Sequence, residues 1–195
     1  MARDENRRIT DLGTLKALAH PLRANLYRLL CMERVATASR LAEHVDEAVS
    51  LVSYHLRKLA DHGLIEEAEP QTADGRERWW QPASDGVTIR DEDFRGEPGK
   101  AAAHLAATRL FHDQRADQYR RYLDERPAWG PEWNTASMDT ESWMRLTPAE
   151  LTELKDEFAA LLRRFDARGR AAEAAGDTEG REHVALHLYG FPFRA

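Results

Sequence analysis

The chain has 195 residues, 42% hydrophobic and 32% charged, enough to build a real core in one large domain or two small ones. No apolar run approaches the ~20 residues that span a bilayer, and the N-terminal MARDENRRITD has no apolar signal-peptide core, so a cytoplasmic protein without a membrane partner is expected. The net charge of −6 excludes coating of nucleic acid by bulk charge but not the reading of a site, and the single cysteine, Cys31, excludes an intramolecular disulfide and reads as a small buried hydrophobe.

In chain order, Thr10 to Ala19 places Leu12, Leu15, Leu18 and Ala19 at helical spacing, and His20-Pro21 then interrupts. A residue before proline is pushed out of the helical region, while proline suits the first turn of a new helix. A second helix is therefore expected from Pro21 to about Met32, with Leu22, Leu26, Leu29 and Leu30 inward. Thr37 is the expected N-cap of a third helix, whose Leu41, Ala42 and Val45 share a face. A fourth repeats Val49, Val52, Leu56 and Leu59 at three- and four-residue steps and is closed by Gly63. Its outward set, Ser50, Ser53, Tyr54, Arg57 and Lys58, suits base edges and the phosphates beside them.

After Gly63 the period changes. Leu64 to Glu69 and Glu77 to Pro82 read as strands, joined through a hairpin turn at Asp74-Gly75. Three helices and a hairpin make a winged helix-turn-helix, with Arg76 and Arg78 on the wing. From His20 to Gln81 there are eight cations against ten acids. The expectation is modest affinity and two copies on one DNA site.

LKALAHPLRANLYRLL, SRLAEHVDEAVSLVSYHLRKLADHGLI and EPQTADGRERWWQP together resemble the ArsR-type winged-helix transcriptional regulators, in register across Leu15 to Ile65. The resemblance implies a homodimer on a palindromic double-stranded DNA operator, usually as a repressor released by a signal. It puts the recognition helix at about Val49 to His62 and the base-reading positions at Ser50, Leu51, Ser53 and Tyr54; His55 matches a histidine the family generally keeps and reads as a packing or backbone-positioning residue rather than a base reader. Two departures stand out. Ala48 replaces the usual hydroxyl N-cap of the recognition helix, so Asp46 or Glu47 must serve or the cap is lost at ~1 kcal/mol. Thr37 and Ser39 stand where metal-sensing members carry Cys-x-Cys, and neither hydroxyl is a soft metal ligand. No metal and no cofactor are expected.

Beyond the wing, Arg90 to Lys100 reads as a charged connector with two glycines and a proline. Ala101 to about Arg126 reads as a long dimerisation helix, stopped by Pro127 to Pro131. Thr135 to Leu146 reads as extended. Thr147, Pro148 and Glu150 open a further helix with a capping box, carrying Leu151, Leu154, Phe158, Leu161, Leu162 and Phe165 inward and ending before Gly169. His183 to Phe191 alternates as a closing strand would. The fold expected is mainly α with small β: a winged helix-turn-helix domain over 1–90, a connector over 91–100, and a helical or α+β C-terminal region over 101–195 for dimerisation. Trp129, Trp133 and Trp143 are candidates for a small-molecule effector pocket.

No phosphate-binding glycine loop, HExxH or GxSxG motif occurs, so an enzyme is not expected. The function expected is sequence-specific DNA-binding regulation, as a dimeric repressor without a thiolate metal switch. The alternative is a winged-helix protein-interaction module that does not bind DNA.

Overall fold

The computed structural model describes residues 6–71 and 77–194. Within them the chain forms β1 (Arg7–Ile9), α1 (Leu12–Leu18), α2 (Pro21–Glu33), β2 (Ala36–Thr37), α3 (Ala38–Val45), α4 (Val49–Asp61), β3 (Ile65–Glu67), β4 (Trp79–Pro82) and β5 (Val87–Ile89). A 3-10 turn at Asp91–Asp93 and α5 (Pro98–Glu125) follow, then a second 3-10 turn at Arg126–Trp129, α6 (Gly130–Ala136) and α7 (Pro148–Ala174). The protein is mainly helical with small sheets, as the sequence indicates. No described helix is long and apolar enough to cross a membrane.

The chain divides into two compact units, Met1–Leu123 and Asp124–Ala195. In the first, α1 to α4 close around Leu15, Leu26, Leu30, Leu41, Val52, Leu56 and Leu59, all withdrawn from solvent. The helix ends follow local chemistry. Asp11 caps α1 by accepting from the Thr14 amide at 2.7 Å. Pro21 occupies the first turn of α2, and the Arg23 side chain reaches back to donate to the carbonyls of Ala17 and of Lys16, the latter at 3.1 Å. Those carbonyls belong to the last turn of α1, which has no helical donors left for them. Thr37 caps α3 through the Arg40 amide at 3.3 Å. Gly63 ends α4 with φ of +62°, and the Leu64 amide bonds back to the Leu59 carbonyl at 3.0 Å. Arg7 seals the same end by donating to the carbonyls of His62 and Gly63. A Cβ on Gly63 would stand 3.1 Å from that guanidinium.

The wing is a three-stranded antiparallel sheet in the order β2-β4-β3, with Ala36 opposite Trp80 and Glu67 opposite Trp80 on its other side. The turn at Asp74-Gly75 lies outside the described residues. A second, two-stranded sheet pairs β1 with β5 in parallel. Neither strand is apparent in the sequence, because each is three residues long and finds its partner far away along the chain.

Several expectations are corrected. The segment 90–100 is no free connector: Phe94 is wholly buried, and Arg8 holds both Asp93, through Nε at 2.8 Å, and Glu92, at 2.9 Å. α5 groups up to Leu123 with the first unit. α5 contributes Ala107 to the core, with Ala103 and Phe111 packed against it. Val49 is exposed rather than inward, being the first residue of α4 and beyond the core's edge. Cys31 is half-buried, not fully buried.

In the second unit, the capping box is present as read: Glu150 accepts from the Thr147 amide at 2.7 Å, and Thr147 accepts from the Glu150 amide at 3.3 Å. α7 runs past Gly169, since one glycine costs only about 1 kcal/mol in an otherwise alanine-rich stretch, and it ends before Gly176, at φ of +75°. The proline-rich stop after α5 is followed directly by a 3-10 turn and α6. His183 to Phe191 is not a strand, nor does Thr135 to Leu146 pair with it. Alternation makes a strand only when one face is covered, and Val184, Leu186 and Leu188 are all exposed. The apolar residues of α7 are likewise not inward: Phe158, Leu161, Leu162 and Phe165 face solvent.

Candidate nucleic-acid interface

α4 has two distinct faces. Val52, His55, Leu56 and Leu59 are buried, locking the helix onto α2 and α3. On the other side Ser50, Leu51, Tyr54 and Arg57 are exposed, and Ser53 and Lys58 half-exposed. The recognition set named from the sequence therefore lies on one continuous outward strip. The Lys58 ammonium sits 5.9 Å from the Tyr54 ring centroid and pairs with Asp61 at 3.2 Å. His55 packs edge-on to Tyr54, with centroids 5.1 Å apart, and lies tilted against His20, with centroids 4.7 Å apart. It supports the strip from beneath.

The wing borders this strip. A cleft of about 250 Å³ lies between α3, α4 and β4, and Ser53, Arg57, Arg78 and Trp80 open onto it. Arg78 pairs with Glu67 at 3.1 Å and lies over the Trp80 ring at 5.6 Å. Arg76 lies outside the described residues. Glu67 and Asp61, which the sequence did not single out, are the carboxylates that hold Arg78 and Lys58. Cross-strand position and the three-residue helical step are the signals that would have found them.

Ala48 forms no side-chain cap on α4. Neither Asp46 nor Glu47 replaces it, because Asp46 ends α3 in the left-handed conformation, φ +52°. At the positions of the family's thiolate pair, Thr37 caps α3 and Ser39 Oγ donates to Glu77 at 2.9 Å. Both hydroxyls are engaged in holding α3 and the wing. The tryptophans named as a pocket fall in the second unit: Trp129 packs edge-on to Trp133, with centroids 6.4 Å apart, and Trp143 packs instead on Phe193 at 4.8 Å.

A buried helical core, an exposed second helix of a helix-turn-helix and a three-stranded wing define the first unit as a winged helix-turn-helix domain, ArsR-like in its motifs. A family model described as a helix-turn-helix domain matches residues 18–68, from the end of α1 to just beyond β3. Among solved structures the chain is similar to a possible transcriptional regulator for arsenical resistance, at 26% identity over 59% of this chain and 97% of that one, with a TM-score of 0.33. It is also similar to an ArsR family transcriptional regulator, at 27% identity over 52% and 88% of the two chains, TM-score 0.31. A transcriptional regulator homologue from Pyrococcus horikoshii OT3 aligns at 18% identity over 52% and 83%, TM-score 0.31. No curated protein matches the chain.

Proposed function

We propose that the protein is a dimeric, ArsR-type transcriptional repressor that binds a palindromic operator through α4 and the wing and is not switched through a thiolate metal site. The observation that carries this reading is the outward strip of α4, which exposes Ser50, Leu51, Tyr54 and Arg57 with Ser53 half-exposed beside them, and Arg78 on the cleft that Arg57 also lines. Short hydroxyls and a phenol read base edges, while the cations fix register on the backbone. α5 serves as a dimerisation arm, supported by exposed Leu105, Tyr119 and Leu123.

The acid-rich surroundings set the strength of binding. Lys58 and Arg78 each exchange an existing carboxylate partner for a phosphate, so they add less affinity than unpaired cations would. Few counterions are then released, and the salt dependence is shallow. The decisive measurement is fluorescence anisotropy with fragments upstream of the protein's own gene, at two or more salt concentrations. Arg57→Ala should weaken binding about tenfold and reduce the salt slope by about one. A wild-type protein that binds no promoter fragment at low salt overturns the DNA reading in favour of a protein-binding winged helix.

A further inference from the structure

The first unit holds a larger cavity, of about 560 Å³, on the side of the domain formed by α2, β5 and α5. α2 presents Ala24, Tyr27, Arg28 and Cys31 to it, one helical face at steps of three and four; α5 answers with His104, Ala107, Thr108, Phe111, Gln114 and Arg115. The small residues Ala24 and Ala107 are buried in its wall, and Val87 and Ile89 of β5 line it as well. Gln114 ties the two helices together, accepting from Arg28 at 2.9 Å and donating to the Pro21 carbonyl at 3.0 Å.

The charge of this cavity is one-sided. Among the described residues, two arginines and a histidine line it, and no carboxylate does. Asp91 reaches His104 from outside the lining, at 3.5 Å. The hydrogen-bond acceptors of Arg28 are neutral amides, Gln114 and, at 3.4 Å, Asn25. Burial lowers the Arg28 pKa, and the charges acting on it, Arg121 and Arg115, lower it further. A part-buried guanidinium among like charges is costly unless an anion joins it.

We propose that this cavity binds a small amphipathic organic anion, its carboxylate held by Arg28 and its apolar body lying between Ala24, Ala107, Phe111 and Ile89. The volume falls within the usual range of ligand sites, about 300–1,000 Å³. Guanidinium groups suit a carboxylate because their planar donors pair with both oxygens. Because α2 packs against α4 and α5 forms the other wall, the occupant sets the spacing between the DNA-reading helix and the dimerisation arm. This last coupling rests on the function proposed above; the binding itself does not.

The test is thermal-shift and calorimetric titration of the full chain with benzoate, phenylacetate, indole-3-acetate and octanoate at up to about 1 mM, beside the matching primary amides, which lack the charge. At least one acid should raise the melting temperature and its amide should not. Arg28→Gln should weaken that acid at least about tenfold, and Ala107→Phe should abolish its binding by filling the space. Should either variant fail to fold, the comparison of acid with amide on the unaltered protein decides alone. Arg57→Ala should bind the acid as the unaltered protein does, so loss of operator binding and loss of ligand binding are read separately. Silence from all four acids, or equal binding of acid and amide, overturns the proposal. Silence in a protein that sediments as a dimer points to a second copy filling the cavity, and overturns it equally.

Discussion

His20 and His55 meet beneath the exposed strip of α4, His20 as the N-cap residue of α2 and His55 on the buried side of α4. Burial lowers the pKa of both; Arg23 lowers each further, His20 lowers that of His55, and Glu47 opposes the shift at His55. The native state therefore favours both rings neutral. In the unfolded chain they titrate near 6.5, so above about pH 6.5 neither state binds extra protons and the stability is fully present. As pH falls from there through the lower native pKa values, the unfolded state takes up protons first and stability is lost. Melting temperatures measured between pH 8 and pH 5 should fall below about pH 6.5, and a His20→Asn, His55→Gln double variant should show a flatter profile. An unchanged profile in the double variant assigns the acid sensitivity to other groups. The sequence placed His55 in a packing or backbone-positioning role, but the identity of its neighbour depends on how α2 crosses α4, which no local spacing encodes.

Elements were legible where local chemistry and burial agree. The breaks at His20-Pro21 and Gly63, the Thr37 cap and the Thr147 capping box each satisfy helix ends with their own side chains or backbone, so a few consecutive residues suffice to predict them. The outward strip of α4 was legible for a related reason: its apolar period leaves one face over. What remained hidden depends on distant pairing. β1 and β5 are too short to carry a pattern, and Phe94 is a single apolar anchor in a charged run. The false strand at 183–191 is the converse case, a pattern with no second strand to pair with. The uncapped start of α4 is a prediction from the same level. Ala48 already has extended backbone angles, φ −63° and ψ 135°, so a serine there needs no rearrangement to accept from the first-turn amides. Ala48→Ser should stabilise the domain by about 1 kcal/mol, read as a shift in the denaturant midpoint without a change in slope. A neutral or negative shift places the α4 amides in bonds that the serine disturbs.

At the scale of the molecule, the second unit presents an apolar surface that it does not bury. None of its described residues is buried, although α7 alone is 27 residues long and its polar termini are well made. Leu151, Leu154, Phe158, Leu161 and Phe165 recur at alternating steps of three and four, the spacing that lines one seam of a two-helix association. Phe158 is 40% exposed, Leu161 39% and Phe165 52%, in a helix whose stability must come from covering that stripe, since packing rather than propensity holds helices in proteins. A second copy of the chain offers an identical stripe, and a two-fold interface needs only one self-complementary surface. The proposed operator binding requires the same partner, because a palindrome is read by two recognition helices at once. Leu161→Glu should then raise the dimer dissociation constant about 100-fold, each leucine contributing about 1.5–3 kcal/mol of burial. Sedimentation velocity over a concentration series reads this directly, and anisotropy with the full palindrome should weaken in parallel while a single half-site does not. If Leu161→Glu sediments as the unaltered protein does, the stripe on α7 is no part of the dimer interface, and α5 carries the dimer contacts alone through its exposed Leu105, Tyr119 and Leu123.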